Sequence, residues 1–161
     1  MVYYPTSGAS LNVIESWGSK LFAASLFYTA LVLVITFTSL ASGEKPPQLL
    51  PQSVMQLYSE AYSTWQNLSG QVFTGSMWDQ IVAAFNAIQS MWELTLGVLF
   101  TITFSFVWIG YAASSLLPEP LAILRVGLWA ASVFANLILI LYLLKTVQSV
   151  ISNFIYTIRG G

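Results

Sequence analysis

Three long apolar runs dominate the pattern of residues along the chain. They cover 21–41, 92–111 and 126–144, and Glu93 is the one charged residue within them. Each run has about the 20 residues that an α-helix needs to cross ~30 Å of hydrocarbon. The pattern therefore predicts an all-α integral membrane protein with three transmembrane helices, forming a single helical membrane domain over 1–161.

Residues 53–91 follow a different pattern, in which apolar residues recur every three or four positions between polar ones. This spacing is typical of amphipathic helices, and capping-box spacing at Ser76 marks a helix start. The segment therefore predicts an amphipathic helical hairpin. We expect it to pack as a subdomain outside the membrane; the alternative is a pair of helices lying in the interface. Similar spacing over 146–158 predicts a helical C-terminal tail.

The composition supports a membrane location. Apolar residues make up 57% of the chain and charged residues 7%, against about 45–50% and about 25% in soluble domains. A soluble protein of this size needs charged side chains on its surface, so lipid must cover much of this one.

Basic residues are divided three against two between the two sides of the predicted bundle. This difference is too small to fix the orientation by the positive-inside rule.

Small residues recur at four-residue spacing on the second and third predicted spans. Two antiparallel helices that turn near Pro118 pair residues whose numbers sum to about 236. Ser105 should then meet Ala131, and Thr101 should lie against Ala135. Small side chains let helix backbones approach closely in lipid; the alternative is that one row faces another subunit. The predicted helix-packing residues are Gly97, Thr101, Ser105, Gly127, Ala131 and Ala135.

Charged residues at the edges of the spans predict interfacial ion pairs. Under the same pairing, Glu93 lies near Lys145 at one edge, and Arg125 marks the other edge beside an aromatic belt. An acid near a membrane edge, such as Glu93, could instead bind a proton or a cation. Arg125 could instead bind an anion or a lipid headgroup, although such residues more often extend toward the interface.

Asn136 is the one amide side chain within the third run. It cannot satisfy its donor and its acceptor alone, so it should face protein rather than lipid. We therefore predict that Asn136 makes a polar contact with another helix or another subunit.

Cysteine and histidine are absent from the chain. Their absence excludes disulfides, iron–sulfur clusters and thiolate zinc sites, and removes the commonest metal ligand and general base. We expect no catalytic residue, no metal site and no cofactor, and therefore no enzyme. The net charge of −1 and the lack of a basic cluster argue against a nucleic-acid partner.

These features favour a non-enzymatic structural or accessory subunit of a larger membrane-embedded assembly. Aromatic residues, at 15% of the chain, and the rows of small residues suit packing against lipid and against other membrane subunits or copies of itself. The assembly could be a cellular membrane complex or a membrane-associated viral particle. One alternative is a homo-oligomeric pore, channel or holin-like protein, lined by Thr101, Ser105 or Asn136. Another is a small-molecule transporter component.

Overall fold

The computed structural model describes residues 8–74 and 76–159, with side chains over 13–68 and 76–159. The described residues are almost entirely helical and contain no strand, so the all-α prediction is confirmed. The described residues form four α-helices: α1 (Gly8–Ala41), α2 (Gln52–Thr74), α3 (Met77–Ser115) and α4 (Ala122–Ile158). A 3-10 turn over Glu119–Leu121 precedes α4.

Three of these helices are long and apolar enough to cross a membrane. Helix α1 has 34 residues, α3 has 39 and α4 has 37. At ~1.5 Å per residue, each is about 50–60 Å long and exceeds the ~30 Å of a bilayer's hydrocarbon core. The three helices suggest a multi-pass membrane protein.

Helix α3 joins two segments that the sequence pattern separated, the second half of the amphipathic region and the second apolar run. It begins with the predicted capping box, in which the Ser76 N–H donates to an Asp79 carboxylate oxygen at 2.8 Å. No glycine or proline lies between residues 77 and 96. Nothing therefore ends the helix where the pattern changes from amphipathic to apolar.

The connector between α1 and α2, residues 42–51, runs back along the bundle. The Tyr28 hydroxyl donates to the Leu49 carbonyl oxygen at 3.0 Å, and the ring centroids of Phe37 and Tyr58 are 6.3 Å apart. Between Leu49 in the connector and Tyr58 in α2, the chain therefore advances in the same direction as α1 does between Tyr28 and Phe37. It follows that α1 and α2 are parallel and that the connector returns the chain toward the start of α1.

Helix α2 lies antiparallel to α3 and packs along much of its length. Near the start of α2, the Tyr58 hydroxyl meets Thr101 Oγ1 at 2.7 Å. Farther along α2, the carbonyl oxygen of Ala61 accepts from Ser90 Oγ at 3.1 Å. The first half of α2 therefore lies beside the apolar half of α3.

Helices α3 and α4 approach closely at Gly110 and Ser132. A Cβ atom placed on Gly110 would lie closer than 3.0 Å to both Oγ and Cβ of Ser132. The predicted register would have put Gly110 against Val126, so it was wrong by six residues. The reason is the 3-10 turn over Glu119–Leu121, because it adds residues before α4 begins.

Helices α1 and α4 cross at Gly18 and Tyr142. A Cβ atom on Gly18 would be 2.5 Å from Tyr142 Cβ, so only glycine permits this approach. The ring of Phe22 lies 6.1 Å from the Tyr142 ring. One turn away, the Lys145 ammonium group forms an ion pair with the Glu15 carboxylate.

The interior of the bundle is almost as polar as it is apolar. Among the described residues, eight hydrophobic and seven polar side chains are buried. Large apolar side chains lie outside instead, such as Phe27 at 73% exposed and Ile123 at 88%. An apolar exterior around a partly polar core is the arrangement expected when lipid rather than water covers a bundle.

Candidate functional site: a polar core and two clefts

Tyr58 and Thr101 form the centre of the polar core. Thr101 Oγ1 donates to the Gly97 carbonyl oxygen at 2.8 Å, which uses its single hydrogen. The Tyr58 hydroxyl, 2.7 Å from Thr101 Oγ1, is therefore the donor in that contact. Both side chains are completely buried, so this short chain of hydrogen bonds attaches α2 to α3 without leaving a donor unpaired.

The carbonyl oxygen of Ile102 links α1 to α3. It accepts from Ser25 Oγ at 2.8 Å and from Ser105 Oγ at 3.2 Å. Thr29 Oγ1 donates to the Ser25 carbonyl oxygen at 2.8 Å. These hydroxyls are buried and bond to main-chain carbonyls, which is the common role of Ser and Thr within apolar helices.

The predicted row Gly97, Thr101 and Ser105 is buried in α3, but its partner differs from the prediction. Gly97 and Thr101 lie against Tyr58 of α2 rather than against α4; a Cβ on Gly97 would be 2.8 Å from Tyr58 Cε1. The expected pairing of Thr101 with Ala135 was therefore wrong. The first half of α2 occupies the face of α3 that was assigned to α4.

The predicted row on α4 does not form the close contact with α3. Ala131 is exposed and Ala135 is half-buried. A Cβ on Gly127 would meet no atom within 4 Å beyond its own helix backbone. These predictions followed from the wrong register; Ser132, one residue beyond Ala131, meets α3 instead.

Leucine substitutions should distinguish the buried row of small residues on α3 from the row on α4 by their effects on stability. Ser105→Leu forces a large side chain into a fully buried position and should lower the free energy of unfolding by about 1–3 kcal/mol. Ala131→Leu adds the same side chain at an exposed position and should leave stability unchanged. Thermal unfolding in detergent measures both. Equal destabilisation by the two variants would restore the predicted contact between Ser105 and Ala131.

Asn136 is buried in α4 with 3% of its surface exposed, so it faces protein within the chain rather than an outer surface. Its Oδ1 atom has no hydrogen-bond partner in the described structure. Asn136 therefore lies at a contact between helices, and its burial leaves little of it for a contact with another subunit.

Asn136→Leu should maintain or raise the melting temperature. Leucine has the same branched arrangement of four side-chain heavy atoms, and it removes a buried acceptor whose desolvation costs about 1–3 kcal/mol when unpaired. Thermal unfolding of the purified variant in detergent tests this. A melting temperature that falls by several degrees would show that Oδ1 accepts a hydrogen bond that stabilises the protein.

The charged residues pair differently from the prediction. Lys145 forms its ion pair with Glu15, whereas the Glu93 carboxylate accepts from Gln89 Nε2 at 2.9 Å. The predicted Glu93–Lys145 pair was wrong because α1 crosses α4 one turn from Lys145, and the shifted register moves Glu93 away.

Arg125 lies at the start of α4. Its Nε and Nη2 atoms both donate to the Leu117 carbonyl oxygen, which closes the turn between α3 and α4. Its Nη1 atom is 3.7 Å from Glu119 Oε1, and the Glu119 side chain is 95% exposed. Water screens such a pair strongly, so Arg125 retains most of its positive potential at this end of the bundle.

A polar cleft lies between the connector and the outer side of α2. Its volume is about 320 Å³. Five polar side chains line it together with three apolar ones: Lys45, Gln48, Gln52, Gln56 and Ser59, with Leu40, Pro46 and Met55. Gln48, Gln52 and Gln56 are exposed and line this cleft together, so they form a row of amides along this side of the bundle.

An aromatic cleft lies at the other end of the connector and has a volume of about 580 Å³. Residues from the connector, α3 and α4 line it: Gln48, Leu49, Leu50, Pro51, Val107, Trp108, Tyr111, Ala112, Ser115 and Trp129. Leu50 is buried, whereas Tyr111 is 69% exposed and Trp129 50% exposed. The cleft is therefore apolar at its base and aromatic at its rim.

Comparison with protein-family models, curated proteins and solved structures finds no match.

Sequence reasoning missed the two close helix crossings at Gly18 and Gly110. Each is a single glycine inside a helix, and such a glycine commonly has a packing reason. That signal was present in the sequence. No comparable signal identified Tyr58 as the partner of Gly97. Tyr58 belongs to the apolar stripe on α2, and an apolar stripe does not specify which helix packs against it.

Proposed function

We propose that this protein is a non-enzymatic subunit of a larger membrane-embedded assembly and that the polar cleft is where a neighbouring protein binds. The observation that carries the proposal is the exposed row Gln48, Gln52 and Gln56 beside the apolar half of α3.

The depth of this row follows from its contacts. Tyr58, two residues beyond Gln56 and so on the opposite side of α2, meets Gly97 and Thr101 of α3. Pro51, just before Gln52, lies beside Trp108. Residues 97–108 of α3 belong to a stretch without charge from 94 to 117. If the apolar helices span a bilayer, these contacts favour a position of the first half of α2 at the depth of the spans over the expected subdomain outside the membrane.

Lipid is a poor neighbour for glutamine at this depth. An amide without hydrogen-bond partners in an apolar medium costs about 2–7 kcal/mol. Intramembrane polar residues therefore generally face protein or a water-filled cavity. Gln52 and Gln56 are exposed in this chain, so a second protein surface with matching donors and acceptors would satisfy them.

Site-specific photo-crosslinking in the native membrane tests the proposal. A photoreactive residue replacing Gln56 should yield a discrete protein adduct. The control replaces Phe134, which is 66% exposed on α4 and should yield mainly lipid adducts. An adduct of twice the protomer mass identifies a second copy, and another mass identifies a different subunit. Lipid adducts alone at Gln56 would contradict the proposal.

A homo-oligomeric pore is the second candidate, and the same row favours it. A ring of copies could place Gln48, Gln52 and Gln56 around water. The residues first expected to line such a pore do not reach an outer surface, because Thr101 and Ser105 are 0% exposed and Asn136 is 3% exposed. A lumen between copies would therefore be lined by α2.

Conductance of the purified protein in liposomes separates the two candidates. A pore should conduct, and the double variant Gln52→Leu with Gln56→Leu should lose conductance by making the lumen apolar. The subunit proposal expects no conductance from either protein. A matched control, Phe134→Leu, alters an exposed residue of α4 and should not change the result.

A further inference from the structure

We propose that the aromatic cleft binds one glycerophospholipid molecule, with an acyl chain between the connector and α3 and its phosphate toward Arg125. The inference shares with the proposed function the premise that the long helices span a bilayer. It concerns a different cleft and a different ligand.

The position of the cleft indicates a lipid. Trp108, Tyr111 and Trp129 line it together, and aromatic residues of this kind concentrate where the hydrocarbon core meets the headgroups. Its volume of about 580 Å³ lies within the range of about 300–1,000 Å³ found for small-molecule sites. The cleft therefore lies where a lipid's glycerol region would be, with room for part of a chain.

The walls of the cleft match the two parts of a phospholipid. Leu49, Leu50 and Val107 provide an apolar base suited to an acyl chain. The Tyr28 hydroxyl holds the connector wall in place through the Leu49 carbonyl oxygen at 3.0 Å. Because the connector backbone is not helical here, it needs covering by protein or ligand at membrane depth, and a resident lipid would provide that cover.

Arg125 provides the charge that a phosphate requires. It is one helical turn before Trp129 and so lies on the same face of α4. Its side chain is 33% exposed, and its acidic neighbour Glu119 is almost fully in solvent. Since Nε and Nη2 both donate to the Leu117 carbonyl oxygen, the guanidinium is held in position, and the long 3.7 Å contact of Nη1 with the solvent-exposed Glu119 carboxylate is one that a phosphate oxygen could replace.

Native mass spectrometry of the full chain tests the proposal. Protein purified in detergent and depleted of lipid is titrated with 1-palmitoyl-2-oleoyl-phosphatidylglycerol. We expect saturation at one lipid per protomer. Ala112→Trp fills the cleft and should abolish this bound lipid, whereas Ala131→Trp, at an exposed position outside the cleft, should retain it. Arg125→Gln should raise the half-saturation concentration about tenfold, since it removes a charged hydrogen bond.

Three results would overturn the proposal. Lipid numbers that rise without saturation and do not respond to Ala112→Trp would indicate surface lipid only. A retained small molecule of another class in the purified protein, such as a quinone, would assign the cleft to that ligand. An unchanged half-saturation concentration in Arg125→Gln would remove the phosphate contact. Thermal unfolding confirms that each variant is folded, and none of these results depends on whether Gln56 crosslinks to a protein.

Discussion

Gly110→Leu is expected to lower the free energy of unfolding by about 3 kcal/mol. A Cβ atom at this position already lies closer than 3.0 Å to Ser132 Cβ. That carbon is attached directly to the α4 backbone, so no side-chain rotation can relieve the overlap. The two helices must separate, which removes the contacts around this close crossing. Thermal unfolding in detergent should show a correspondingly lower melting temperature.

Gly127→Leu is the matched control for Gly110→Leu. The substitution is identical and also lies in an α-helix of the same pair, but Gly127 has open space where its Cβ would be. We expect its stability to be equal to or above that of the natural chain, because leucine is the better helix former. Similar losses of stability at the two glycines would show that the α3–α4 register differs from the one described.

Tyr58→Ala should produce the largest loss of stability, about 3–5 kcal/mol. The Tyr58 ring is 0% exposed and fills the space beside Gly97, Thr101 and Phe37. Its removal leaves a cavity where three helices meet and also removes the partner of Thr101. We expect α2 to detach from α3, so that limited proteolysis cuts the connector at 42–51 faster than in the natural chain.

Tyr58→Phe separates the contribution of the hydroxyl to stability from that of the ring. This variant retains the packing but loses one hydrogen bond, so we expect a loss of only about 1 kcal/mol. Thr101 still donates to the Gly97 carbonyl oxygen and is not left unpaired. If Tyr58→Ala and Tyr58→Phe were equally stable, the ring would not be the centre of the core.

The elements of this fold were largely predictable, because each long apolar run reports on its own helix. The runs at 21–41, 92–111 and 126–144 lie within α1, α3 and α4. Periodicity over 53–91 also indicated helix. These signals are local, since lipid-covered helices need apolar residues all round and amphipathic helices need them on one side.

The pairing of the helices was not predictable in the same way. The small residues Gly97 and Thr101 indicated a close neighbour but not which one, and Tyr58 of α2 takes the place assigned to α4. The register of α3 against α4 depended on the turn after Pro118, where one short 3-10 segment shifted every predicted pair of facing residues. The two clefts depend on the returning connector, and Pro46-Pro47 indicated only that α1 ends, without giving the direction that followed.

Helix α2 follows α1 in parallel and packs against α3, which is synthesised later. This separation along the chain sets an order of events during synthesis. Tyr58 leaves the ribosome 43 residues before its partner Thr101, which is a delay of about 2–9 s at about 5–20 residues per second. During this time the first half of α2 lacks the apolar half of α3, against which it packs. We therefore expect α2 to wait at the membrane surface after α1 is inserted, and to enter the bilayer together with α3 as a helix pair.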